Sequence, residues 1–171
     1  MPHMTRMSLH ERGPFRGHSP SQQRPLGGYA ALTGSFGAAV LTFSAWFARS
    51  GRRVPERMAT GDVVLVAVAT HKASRLLSKS RAASTIRAPF TEFQDDAGPG
   101  EVSEAARGQG LQRAVGELLV CPYCLGMWFA AAFTGGLLVA PRATRHVAGV
   151  CAALFGSDML QIAYKKAEDA M

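Results

Sequence analysis

Leu118-Leu119-Val120-Cys121-Pro122-Tyr123-Cys124-Leu125-Gly126-Met127-Trp128-Phe129-Ala130-Ala131-Ala132-Phe133-Thr134-Gly135-Gly136-Leu137-Leu138-Val139-Ala140 runs for 23 residues without a charged side chain and stops at Pro141. At about 1.5 Å of rise per residue, this is enough helix to cross the roughly 30 Å hydrocarbon core of a bilayer. It reads as a transmembrane helix over 118–140.

Three other segments join it. Residues 29–48 carry no charge over 20 positions, and Ala30, Gly34 and Ala38 recur every four residues, a face suited to close helix packing. The run is too long for the apolar part of a signal peptide and lacks a small-x-small cleavage pattern after it, so it reads as an uncleaved anchor. Residues 61–78 form a shorter segment. Val63 to Ala69 is apolar, Asp62 suits the positive end of a helix, and His71, Lys72 and Arg75 follow in the last turns. Residues 146–164 form the fourth segment, with Asp158 and Gln161 inside it and small residues at Ala148, Ala152 and Gly156. A short turn with Arg142 and Arg145 makes the last two helices an antiparallel hairpin. The expected fold class is therefore an all-α integral membrane protein with about four transmembrane helices, the second one short.

The remainder is polar. Residues 1–28 have no periodic apolar positions and read as a disordered basic tail. Residues 79–117 read as a cytoplasmic loop, basic at first (Lys79, Arg81, Arg87) and then acidic and Gly-rich (Glu92, Asp95, Asp96, Gly98, Gly100, Glu101, Glu104). No strand and no repeat is expected there, and Glu101 to Glu117 suits a short interfacial helix. Gly108-x-Gly110 lacks the third glycine and the preceding strand of a nucleotide loop. Residues 165–171 form a C-terminal tail.

Over 171 residues the net charge is +7, from 19 Lys and Arg against 12 Asp and Glu. Arg outnumbers Lys 15 to 4 and Asn is absent, which points to a GC-rich bacterial genome. With the N-terminus inside, twelve basic residues lie on the inner side and six on the outer side. That asymmetry puts both termini in the cytoplasm of a multi-pass protein of the bacterial plasma membrane. The basic surplus thus follows from topology. No aromatic-interleaved basic patch points to nucleic acid, and the expected partners are the lipid bilayer and a second copy or another membrane protein. Three cysteines exclude a disulfide-stapled secreted domain.

Arg75-Leu76-Leu77, Ile86-Arg87-Ala88-Pro89-Phe90 and Gly116-Glu117-Leu118-Leu119-Val120-Cys121-Pro122-Tyr123-Cys124-Leu125-Gly126-Met127-Trp128 together resemble a family of small bacterial membrane proteins. It is an uncharacterised protein family, the domain of unknown function thirteen-sixty. The resemblance covers about Asp62 to Ala163. Ser80 stands near the place where the family pattern commonly has an acidic residue. The resemblance implies a membrane location and no particular activity.

Few groups are equipped for chemistry. Cys121-Pro122-Tyr123-Cys124 is a C-x-x-C motif with the letters of the glutaredoxin site, where a helix N-terminus favours the thiolate. A thioredoxin-like site also needs a βαβ setting, and here the motif opens a membrane helix. Zinc is the other chemical possibility, with His71 or a second subunit completing the four ligands. Close helix packing by two small residues is the third possibility and the preferred one. Cys151 lies about 20 Å away along the bundle and reads as a packing residue. Asp158, within an apolar helix, is expected to pair with His71, Lys72 or Arg75, fixing helix register more readily than forming a proton or ion path. Trp128 reads as an interface anchor. No catalytic residue is assigned and no cofactor is expected, zinc being the alternative. The expected function is a non-enzymatic partner-binding or assembly component of the membrane. The alternative is a membrane thiol-redox or zinc-binding protein using Cys121 and Cys124, and a small ion or proton carrier stands third.

Overall fold

The computed structural model describes residues 24–171 together with His18. Its elements run α1 (Leu26–Arg49), α2 (Thr60–Lys79), α3 (Ser84–Arg87), β1 (Thr91–Gly98), β2 (Glu101–Ala106), α4 (Gly110–Val120), α5 (Pro122–Val139) and α6 (Pro141–Glu168). Three of these helices, α1, α5 and α6, are long and apolar enough to cross a membrane.

The long helices form an up-down bundle. Phe36 meets Trp128 and Phe43 meets Gly135, so α1 and α5 run in the same direction. Asp62 pairs with Arg145 and Lys72 with Asp158, so α2 and α6 run together. The buried centre is Val66 and Ala69 of α2, Phe133 of α5 and Ala148 of α6, with Leu65, Ala73, Phe129, Leu137 and Cys151 packed around it. This core is small. Large apolar side chains on the helices point outward instead, among them Leu41, Val64, Val150 and Leu160, the first and last about three-quarters exposed at 71% and 73%. Apolar surface left in water costs about 25 cal/mol per Å², and soluble monomers rarely present so much of it in one place. The bundle's outer face suits an apolar solvent.

At one end of the bundle, α3, the β1–β2 hairpin and α4 make a small cap. Strand pairing is antiparallel, from Thr91 opposite Ala106 to Gly98 opposite Glu101, with irregularities between Phe93 and Asp95 and between Asp96 and Gly98. The Gly98-Pro99-Gly100 turn has φ of +134° and +73° at its two glycines, values that side chains with a Cβ rarely adopt. Helix α4 lies beneath the hairpin. A Cβ on Gly116 would stand 2.3 Å from the Phe90 carbonyl oxygen and 2.9 Å from the Ala106 Cβ, so only glycine permits that approach.

Several expectations change. The polar stretch 79–117 holds two strands and two helices, so the fold is mainly helical with a small sheet and not all-α. Strand β1 contains Glu92, Gln94, Asp95 and Asp96 and has Phe93 as its one large apolar residue, so it lacks the alternation that marks a half-buried strand. The run 118–140 is not one helix: Leu118 to Val120 end α4, and α5 begins at Pro122. Proline has no N–H for the helical ladder and drives the preceding residue to extended geometry, seen at Cys121 with φ −102° and ψ 103°. The last helix begins at Pro141, where proline suits the first turn, leaving Ala140 alone as the connection where a longer turn was expected. Among the described residues three helices meet the length and apolarity for a span, and α2, which carries Asp62, Lys72, Arg75 and Lys79, is not among them. Leu26 to Gly28, expected in the tail, already belong to α1, and the rest of 1–28 apart from His18, Arg24 and Pro25 lies outside the described residues.

Candidate functional site

Cys121 is both the last cap of α4 and the first cap of α5. Its N–H donates to the Leu118 carbonyl at 3.3 Å, and its own carbonyl accepts from Leu125 N–H at 3.1 Å. Its Sγ accepts the Cys124 N–H at 3.2 Å, one of the donors a helix start leaves without an internal partner. Pro122 has no N–H to satisfy, and its fixed φ suits the first helical position. Cys121 is half-buried, Cys124 is exposed, and Tyr123 between them is 91% exposed. All three cysteines are free thiols. The Cys121 Sγ thus stands at the N-terminal end of α5. The wider setting differs from a thioredoxin fold, since the strands among the described residues form one antiparallel hairpin.

His71 does not join the cysteine pair. Its ring stands edge-on to Phe155, centroids 5.4 Å apart. Among the described residues, no three His, Cys, Asp or Glu side chains gather in a way that would hold a metal ion. Lys72 Nζ donates to Asp158 Oδ2, joining α2 to α6. Arg75 turns away to the cap, where Nε and Nη2 donate to the two Glu101 carboxylate oxygens at 2.8 and 2.7 Å. The three basic candidates of α2 thus divide among an aromatic ring, a carboxylate in the bundle and a carboxylate in the cap. Trp128, one turn beyond Cys124, is half-buried with its ring edge-on to Phe36 at 5.0 Å. Cys151 packs against the core.

The most enclosed polar site lies in the cap. Arg87 is fully buried. Its Nε donates to Glu104 Oε2 at 2.8 Å, and Nη2 to Glu104 Oε1 at 2.7 Å. Nη1 donates to the Leu77 carbonyl at 2.6 Å, and Nη2 also reaches the Ser80 carbonyl and Ser84 Oγ. Ser84 and Thr91 hydroxyls complete the carboxylate at 2.5 and 2.6 Å. The Arg87 guanidinium holds the Glu104 carboxyl at about 2, well below its ordinary 4.5, against the opposing effect of burial. The Arg87–Glu104 pair thereby ties the end of α2, α3 and both strands together. Tyr29 OH donates to Glu117 and so joins α1 to α4. Arg87 and Glu104 escape a linear reading, because each looks like an ordinary charge in a polar loop. The available signal was Arg87 within Ile86-Arg87-Ala88-Pro89-Phe90.

A family model described as Protein of unknown function (DUF1360) matches residues 65–164. The matched span takes in most of α2, the cap, the cysteine pair, α5 and most of α6. No curated protein and no solved structure matches the chain.

Proposed function

The chain belongs to that family of unknown function, and from that premise we propose a multi-pass protein of the bacterial plasma membrane whose cap is a non-enzymatic docking platform for an assembly partner. The carrying observation is the build of the cap. A buried ion pair stiffens it, and the Arg75–Glu101 and Tyr29–Glu117 contacts hold it to the bundle. Its outer surface offers Ile86 and Phe93, each 61% exposed. Rigid elements with exposed anchors keep the ordering cost of association low.

In this reading α2 crosses with the other three helices. It has 20 residues, its ends pair with α6 at one end and with the cap at the other, and Asp158 neutralises Lys72 inside the bundle. The cap, the start of α1 and the end of α6 share one end, and the excess of Lys and Arg on that side of the sequence favours the cytoplasm.

Two measurements test this. In a background without native cysteines, Asp95→Cys is expected to label only in permeabilised cells and Arg53→Cys in intact cells; the reverse pattern overturns the orientation. A photo-crosslinking residue at Phe93 is expected to give a discrete heavier adduct in native membranes, and Phe93 without an adduct rejects the platform.

The sulfur contact at the start of α5 favours a second reading, thiol-redox chemistry at Cys121 with Cys124 resolving it. Thiol labelling that requires reductant, or zinc in the purified protein, selects a redox or metal role over packing.

A further inference from the structure

The end of the bundle opposite the cap is rich in arginine. Arg49 closes α1; Arg52, Arg53 and Arg57 lie in the connection to α2; Arg142 lies in the first turn of α6. All five are exposed, and among the described residues none pairs with a carboxylate. By contrast, four of the five arginines around the cap, Arg75, Arg81, Arg87 and Arg113, have carboxylate partners, and the fifth, Arg107, donates to the Pro89 carbonyl. Two contacts gather the far end into one surface. Arg52 Nη1 donates to the Val139 carbonyl at 3.0 Å, joining the connection to the α5–α6 corner. Arg145 grips Asp62 through two hydrogen bonds of 2.8 and 2.7 Å, joining α6 to α2.

Between these arginines the connection exposes Val54 (66%) and Met58 (44%), and Trp46 stands half-exposed one turn before Arg49. If the outward apolar side chains of α1 and α6 face hydrocarbon, this end stands at headgroup depth. Indole rings favour that depth, and guanidinium groups there bind phosphate through paired donors.

We infer that this surface binds anionic phospholipid: Arg53, Arg57 and Arg142 contact headgroup phosphates while Val54 and Met58 enter the acyl boundary. The inference rests on the membrane-spanning reading above, and its test separates the two.

The full chain carrying Trp128→Phe, so that Trp46 is its one remaining tryptophan, is reconstituted into phosphatidylcholine vesicles. These contain a minor share of either brominated phosphatidylglycerol or brominated phosphatidylcholine. Quenching of Trp46 is expected to be severalfold stronger with the anionic lipid, each basic residue near the surface enriching it about fivefold. Adding Arg53→Gln, Arg57→Gln and Arg142→Gln is expected to erase the preference, and lysine at the same three positions to retain most of it. Equal quenching by both lipids overturns the inference and leaves the spanning reading intact. No quenching by either lipid overturns both.

Discussion

Arg87 and Glu104, seventeen residues apart, face each other inside the cap through two parallel hydrogen bonds of 2.8 and 2.7 Å, both side chains almost sealed from solvent. Every carboxylate oxygen has a second donor, from Ser84 or Thr91. An ion pair so completely satisfied tolerates burial, whereas either member alone does not.

Removing one partner should therefore dismantle the cap. Arg87→Ala and Glu104→Gln are each expected to cost about 3–5 kcal/mol. Limited proteolysis reads this out, with rapid cleavage in the Gly98-Pro99-Gly100 turn while the α5–α6 fragment stays protected. A variant cap as resistant as the parent would remove Arg87 from its organising role.

The same pair sets a pH dependence. The folded carboxyl at about 2 lies below its ordinary 4.5, so its contribution is fully present above pH 4.5 and is lost as pH falls towards 2. The loss amounts to about 3 kcal/mol at the low end. Hairpin amide resonances followed from pH 6 to about pH 2 should weaken below about 4 in the parent. In Glu104→Gln that pH-dependent step should disappear.

Lys72 and Asp158 are coupled across the bundle. Asp158→Asn leaves the mostly buried Lys72 cation without its carboxylate, and breaking such a pair by removing one partner costs about 3–5 kcal/mol when it is buried. Thermal unfolding in detergent should fall for Asp158→Asn and recover in Lys72→Met with Asp158→Leu. A double variant as weak as the single one removes the coupling.

Cys121 caps α5 through sulfur. Cys121→Ser supplies a better acceptor at that position and should preserve stability, while Cys121→Ala should cost about 0.5–1 kcal/mol. If Cys121→Ser abolishes cellular function while the fold is retained, the packing role gives way to the thiol role.

Gly116 lies under the hairpin with no room for a methyl group. Gly116→Ala requires Phe90 backbone to move and is expected to destabilise the cap by about 1–3 kcal/mol or more. The proteolysis assay above measures it directly.

The long apolar runs were legible because 20 or so residues without a charge leave few alternatives. The break at Cys121 was harder to see, although Pro122 carried the signal: composition across the run is uniform, and only the missing N–H of one residue separates α4 from α5. Strand β1 was not legible. Its acidic residues lack periodicity, and its order comes from β2 and from α4 beneath it.

Composition and run length alone determined that the chain carries apolar helices suited to a membrane, because the length and apolarity of a helix are properties of the local sequence. They also singled out Cys121, Cys124 and Asp158 as groups out of keeping with their surroundings. Tertiary structure decided which charges meet. Lys72, Arg75 and His71 are near neighbours in sequence, yet they turn to Asp158, Glu101 and Phe155. Helical rotation sends successive side chains to different partners, and each partner comes from an element brought near only by folding. Arg87 shows the same dependence most fully. A guanidinium becomes an organising group only when a carboxylate, two hydroxyls and two carbonyls converge on one buried point.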